Sequence, residues 1–221
     1  MLLLTINQCR SSSRIIIPGT AGLTFKINPK SSAAFNLLVR IPGWAQNEAL
    51  PSDLYSFNSA TDKKVTITVN GKPAEYTMRK GYAVINRVWK KNDVVAVNLP
   101  MEVRTVIANE KVKADNGKAA LQRGPLIYCA EWADNNGKTS NLIVPAGTAF
   151  TTEFKSDLLN GVMVLKAEVP AIVINDNGNS ISTSKQTFTA IPYYAWAHRG
   201  KGEMTVWFPT RIKDIEVFAV K

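Results

Sequence analysis

The segment Val65-Thr66-Ile67-Thr68-Val69 alternates apolar and polar side chains without a break, and Asn70-Gly71 follows it at once. Strict period two puts the apolar residues on one face of a strand. Asn-Gly accepts the positive φ of a tight turn, so a β-hairpin follows, its returning strand expected to include Ala74 to Met78. Similar runs precede it at Leu23 to Ile27 and Phe35 to Ile41, and follow it at Gly81 to Ile85 and Asp93 to Leu99. Spacings of roughly 8–12 residues between such runs favour a sandwich or barrel. After Pro100 a second series reads as strands: Glu102 to Ala108, Lys118 to Leu121, Leu126 to Glu131, Leu142 to Val144, Gly161 to Val169, Thr187 to Ile191, Met204 to Phe208 and Ile212 to Val220. Asn- and Gly-rich clusters separate them, notably Asp134-Asn135-Asn136-Gly137 and Asn175-Asp176-Asn177-Gly178-Asn179. Lys155 to Asn160 reads as a short helical turn, and Glu48 to Phe57 as an irregular excursion around Pro51. The expected fold class is all-β, with two consecutive antiparallel β-sandwich domains over residues 1–105 and 106–221. One continuous larger β domain is the alternative.

Composition narrows the function. The chain of 221 residues carries 45% hydrophobic and 20% charged residues, enough apolar surface for a substantial core. Its net charge is +10, yet the basic residues are scattered, with Lys63-Lys64 and Lys90-Lys91 the longest pure runs. No basic helix, zinc-finger spacing or aromatic RNA-binding signature accompanies them, so a nucleic-acid partner is not expected. The apolar start Met1-Leu2-Leu3-Leu4 is soon broken by polar residues, so no export signal and no membrane span is visible. A fragment would lack a signal whatever compartment its parent occupies. Two cysteines, Cys9 and Cys129, and one histidine, His198, cannot make a disulfide framework or a cysteine zinc site. Cys129 lies in the apolar run Leu126 to Ala130 and reads as a buried, inert thiol.

Glycoside hydrolysis needs two carboxylates across the scissile bond. Asp53, Asp62, Asp93, Asp115, Asp134 and Asp176 all read as loop or turn aspartates that bond local backbone. Ser11-Ser12-Ser13 lacks the glycine-flanked elbow of a catalytic serine, and His198 reads as structural or superficial. Gly200-Lys201-Gly202 is a turn without the strand–loop–helix context of a phosphate loop. No catalytic, cofactor-binding or metal-ligating residue is assigned. Among the aromatics, Trp89, Trp132 and Trp207 read as core or domain-contact residues, while Trp44 and Trp196 are the better candidates for exposed rings. With Tyr193 and Tyr194 they supply the material of a sugar-stacking platform.

Longer motifs add a resemblance. Leu38-Val39-Arg40-Ile41-Pro42-Gly43-Trp44-Ala45 resembles a signature of glycoside hydrolase family 127, whose prototype is a β-L-arabinofuranosidase. Val69-Asn70-Gly71-Lys72-Pro73, Gly81-Tyr82 and Arg87-Val88-Trp89-Lys90-Lys91-Asn92-Asp93 continue the likeness, followed by Leu99-Pro100-Met101. In the second half the stretch from Ala114 to Cys129, containing Leu121-Gln122-Arg123-Gly124-Pro125, is similar to the family's C-terminal region. So are the stretches Ile191 to Gly200 and Met204 to Trp207. The resemblance implies that the chain corresponds to the β-sandwiches that follow a catalytic (α/α)6 barrel. The family's catalytic glutamates and cysteines, and the zinc ion held through cysteines in its prototype, belong to that barrel. Neither Cys9 nor Cys129 corresponds to them, so no cofactor is expected in this chain.

Residues 1–21 depart from the family pattern. Reading the codons of the family's Asn-Tyr-Pro-Trp-Asp-Gly one base later permits Ile16-Ile17-Pro18-Gly19-Thr20-Ala21 as it stands. A frameshifted start to a truncated reading frame is therefore expected, with the segment poorly packed. The function so expected is a non-catalytic, accessory part of a glycoside hydrolase acting on arabinose-containing glycans. Its partner would be the catalytic barrel or a second copy of the chain. A stand-alone carbohydrate-binding module for a plant or microbial glycan, and a structural or adhesive domain, are the alternatives.

Overall fold

The Asn70-Gly71 turn has φ of 51° and 78°, the left-handed pair that a tight hairpin turn requires. The computed structural model describes residues 9–15 by backbone alone, and 22–174 and 180–214 in full. Strands and short 3-10 turns make up its regular structure, and no α-helix occurs among the described residues. The chain is all-β, in two consecutive units built of antiparallel sheets.

The strands in the first half of the chain are β1 (Cys9–Ile15), β2 (Gly22–Pro29), β3 (Ala33–Arg40), β4 (Tyr55–Phe57), β5 (Thr66–Val69), β6 (Lys72–Pro73), β7 (Thr77–Arg79), β8 (Tyr82–Trp89) and β9 (Asp93–Asn98). All but β4 build the first unit. A five-stranded sheet in the order β1-β2-β9-β5-β6 accompanies a three-stranded sheet β3-β8-β7. The alternation expected from sequence sends Ile67, Val69, Val95, Val97, Phe25 and Ile27 from the first sheet into one buried cluster with Leu37, Val39, Ala83, Ile85 and Trp89 from the second. Each Val, Leu, Ile or Phe among them contributes about 1.5–3 kcal/mol by leaving water. Trp89 is wholly buried, its ring stacked on Phe35 at 5.8 Å and its Nε1–H donating to the Phe35 carbonyl at 3.0 Å.

A buried carboxylate ties the turns of this unit together. Asp93 accepts from the Asn70 amide at 2.8 Å and from the Lys90 backbone N–H at 2.9 Å. Asn70 in turn accepts from the Val94 N–H at 2.8 Å, and Asn28 accepts from the Asn92 N–H at 3.1 Å. Burial raises the pKa of Asp93, but those two donors, with the charges of Arg87 and Lys90, outweigh it and hold the pKa below the usual aspartate value. A depressed folded pKa means stability that is present above the unfolded value of about 3.9 and lost as pH falls through the folded one. Asp93→Asn is therefore expected to flatten the acid limb of the stability–pH curve, read as melting temperature from neutral to strongly acidic pH. An unchanged acid limb would remove Asp93 from that role.

The second unit takes β4 together with β10 (Val103–Ala108), β11 (Lys118–Arg123), β12 (Leu126–Glu131), β13 (Thr151–Lys155), β14 (Val162–Ile174), β15 (Ile181–Pro192), β16 (Met204–Thr205) and β17 (Phe208–Pro209). The sheet runs β13-β14-β15-β12-β11-β10-β4, with β16 on β12 and β17 on β11. Tyr128, Leu165, Val169, Phe188 and Phe208 share one buried cluster, in which Phe188 meets Phe150 and Phe208 edge-on at 6.0 and 5.2 Å. The intervening residues Cys129, Val162, Val164 and Ile191 form a second, smaller one. Both faces of β12, β14 and β15 are thus covered over part of their length.

Several sequence expectations are altered. Ala74 to Met78 does not return beside β5 as one strand. Strand β6 spans only Lys72–Pro73, and the last bond to β5 is from the Ala74 N–H to the Ile67 carbonyl at 2.9 Å. The chain then joins the other sheet as β7, beside β8. The excursion at Glu48 to Phe57 contains β4, which pairs with β10 through Val106↔Phe57, Ile107↔Ser56 and Ala108↔Tyr55. Leu142 to Val144 is buried but makes only an isolated bridge, the N–H groups of Leu142, Ile143 and Val144 donating to the Thr139, Pro170 and Pro209 carbonyls. Lys155 ends β13, and no helical turn follows it. Ile212–Asp214 is a 3-10 turn, and the remainder of the strand read there lies outside the described residues.

Against a junction read near residue 105, the second unit begins at Glu102 and also includes Ser52–Ser59. Within the N-terminal segment set apart at 1–21, the backbone of β1 pairs with β2 from Cys9↔Pro29 to Ile15↔Leu23. Residues 1–8 and 16–21 lie outside the described residues, as does Asp176.

Candidate functional site

The antiparallel pairing Tyr128↔Pro192 and Cys129↔Ile191 brings the ends of β12 and β15 together. Each strand then breaks into a 3-10 turn, Trp132–Asp134 after β12 and Tyr193–Ala195 after β15. Ile191 and Ala195 are buried, which pins the second turn from beneath. The rings between and beyond them face solvent: Tyr193 is 46%, Tyr194 61% and Trp196 39% exposed. Tyr193 and Trp196 stack on each other, their centroids 5.8 Å apart and their planes 19° from parallel.

An ion-pair cluster holds this loop. The Arg199 Nε donates to Glu131 at 2.8 Å and Nη1 donates to Asp134 at 2.7 Å, with Nη2 shared between the same two carboxylates. Glu131 is only 3% exposed, so its charge depends on these partners. Its other oxygen accepts from the Ala197 N–H at 3.1 Å, where the chain takes a positive φ of 71°. Asn135, fully buried, donates to the Glu131 and Thr189 carbonyls and accepts from the Thr189 N–H. Trp132 lies so close to Gly202 that a Cβ there would stand 2.0 Å from the indole, which makes that glycine a requirement of the contact. Glu203 accepts from the Thr139 and Ser140 N–H groups at 2.8 and 2.9 Å. Burial raises its pKa, and those N–H donors bring it below the ordinary glutamate value.

This arrangement fixes the surface of the loop. Glu131 and Asp134 grip one guanidinium, which fills the space between them that a hydrolase would leave to substrate and water. Burial, then the neighbouring charge of Glu131, pushes the Cys129 thiol up to about 12, so it stays protonated at neutral pH and is no nucleophile. Among the described residues no group of three His, Cys, Asp or Glu side chains is placed to hold a metal ion.

The residues singled out from sequence scatter across the molecule. His198 is exposed on the same loop as Trp196. Trp44 is half-buried against the first core, Trp89 lies inside it, and Trp207 tilts against Tyr55 at 5.6 Å. Asp53 and Asp62 are exposed, and Asp115 accepts from the Tyr55 hydroxyl at 3.5 Å. The side chains of Cys9 and Ser11 to Ser13 lie outside the described residues. The Glu131–Asp134–Arg199 cluster escaped sequence reading, since Arg199 stands 68 and 65 residues from the two carboxylates, and Asp134, read as a turn aspartate bonding local backbone, pairs instead with this distant guanidinium. A glutamate ending the buried run Leu126 to Ala130 was the one visible signal.

Two consecutive units of antiparallel sheets, the second carrying an aromatic loop held by an ion-pair cluster, define an all-β protein of two domains. The sequence model of the β-L-arabinofuranosidase GH127 middle domain matches residues 6–101, and that of the glycoside hydrolase family 127 C-terminal domain matches residues 103–209. The chain belongs to glycoside hydrolase family 127, of which it carries the middle and C-terminal domains. It is similar to a non-reducing end β-L-arabinofuranosidase of Bifidobacterium longum subsp. longum, at 33% identity over 80% of the chain. The chain spans about a quarter of that relative, 26% of its length. Among solved structures, a GH127 β-arabinofuranosidase matches 94% of the chain at 37% identity and a TM-score of 0.86, over 32% of its own length. A GH127 β-L-arabinofuranosidase of Geobacillus stearothermophilus T6 matches 91% at 33% identity and a TM-score of 0.78, over 30% of its own.

Proposed function

We propose that this part of the family is an accessory, non-catalytic module of a glycoside hydrolase acting on arabinose-containing glycans, and that it supports the catalytic barrel. The observation that carries this reading is the loop of Tyr193, Tyr194 and Trp196, exposed yet immobilised through Arg199. Aromatic rings preorganised by an arginine are the composition of protein–protein contact centres. A sugar platform would instead offer its ring faces outward, whereas Tyr193 and Trp196 spend a face on each other.

The test replaces the matching 26% of the Bifidobacterium enzyme with this chain. The isolated chain is expected to release no arabinose from β-L-arabinofuranosides, while the chimera retains turnover. Tyr194→Ala with Trp196→Ala is expected to lower the chimera's melting temperature more than that of the isolated chain. Turnover by the isolated chain, or arabinan binding lost in the same double variant, would sink the reading in favour of an enzyme or a binding module.

A further inference from the structure

Charge is divided unequally between the two units. The first unit holds 13 Lys and Arg against 4 Asp and Glu, whereas the second holds 14 against 13. Much of that excess gathers at one end of the first unit. Three turns meet there: the link from β2 to β3 with Lys30, the β5–β6 turn leading to Lys72, and the link from β8 to β9 with Lys90 and Lys91. Their adjacency follows from register and hydrogen bonds. Ile27 stands opposite Asp93 and Val69 opposite Val95 on either side of β9, Lys72 pairs with Val69, and Asn92 donates to Asn28.

All four lysines are exposed, as is Arg87, whose guanidinium lies 5.2 Å over the Trp89 ring. None of the four is in an ion pair among the described residues. The aspartate at this end, Asp93, is buried with both carboxylate oxygens turned inward to Asn70 and Lys90 N–H. The same network that fixes the three turns thus keeps Asp93 away from the surface, and Glu75, exposed beside Lys72 and Arg87, is the acidic group that shares a depression with them.

We infer that this end of the first unit binds an anionic polysaccharide, a glycan chain whose sugars carry carboxylates. The inference rests on the reading of the chain as part of a glycan-acting enzyme. Lysine ammonium groups act as hydrated point charges, suited to mobile carboxylates rather than to a fixed bidentate partner. From β2 to β6 the platform crosses three strand spacings, roughly 15 Å, the breadth of a single extended chain. A single-stranded nucleic acid would call for stacking rings. Here Trp89 is wholly buried and Phe35 is stacked against it.

The experiment is affinity electrophoresis of the full chain through gels containing polygalacturonate, neutral arabinan or single-stranded DNA, at low ionic strength. The native chain is expected to be retarded by polygalacturonate and not by arabinan, with retardation abolished by salt. K72Q/K90Q/K91Q is expected to lose roughly tenfold in affinity. K111Q/K113Q/K201Q, exposed lysines of the second unit removed at equal charge cost, is expected to leave it unchanged. Circular dichroism checks that both variants fold. No retardation of the native chain, equal loss in the two variants, or DNA binding as tight as polygalacturonate binding would each overturn the inference. The chimera experiment reads restored turnover and not charge, so the two readings fail separately.

Discussion

Arg199→Leu is expected to destabilise the second unit by about 3–5 kcal/mol, the cost of stranding a buried carboxylate without its partner. Glu131 is 3% exposed and has no route to water that would replace the guanidinium. Asp134, at 19% exposure, regains solvation on its own and contributes less. The loss should appear in urea unfolding followed by near-ultraviolet circular dichroism, which reports on the stacked Tyr193 and Trp196. Adding Glu131→Gln to Arg199→Leu is expected to recover part of the loss. A neutral amide still accepts the Ala197 N–H and no longer carries an unpaired charge. A double variant no more stable than the single one would mean that the cluster acts through packing and not through charge.

Trp89→Ala is the second large effect, about 3–5 kcal/mol from the first unit. The indole fills the end of the core between the two sheets and is wholly buried. Trp89→Phe separates its two contributions. The ring stays against Phe35, while the carbonyl at 3.0 Å loses its donor, costing about 1–2 kcal/mol. Amide exchange at Leu37, Val39, Ala83 and Ile85 is the measurement, since those residues share the cluster. If Trp89→Ala left their protection intact, the indole would be filling space that the core can close over.

What the sequence showed was local. Thr66–Val69 with Asn70-Gly71 announced a strand and its turn because both signals lie within six residues. What it concealed was where hydrogen bonds go next. The strands read as Gly161 to Val169 and Thr187 to Ile191 are the inner halves of one long hairpin whose pairing runs on to Ile174↔Ile181. The added part of β15, Ile181 to Gln186, is rich in Ser, Thr and Lys, with none of the apolar alternation that half-burial imprints. Leu142 to Val144 shows the converse, a buried apolar run whose N–H groups are satisfied by separate carbonyls instead of a ladder. Trp196 was legible as an exposed ring. That Arg199 locks its loop was not, because ion pairs across 65 residues leave no periodic trace.

The short strand β4 has a consequence for inheritance. It is encoded within the stretch that matches the middle domain, yet its three residues complete the sheet of the other unit. Phe57 lies beneath the Arg104 guanidinium, and Tyr55 lies against Trp207. A gene cut at residue 101 would therefore yield a C-terminal piece with a bare β10 edge and two aromatic vacancies. Recombination that shuffles these halves must carry them as one cassette, or supply a substitute for Tyr55 and Phe57 along with the new neighbour.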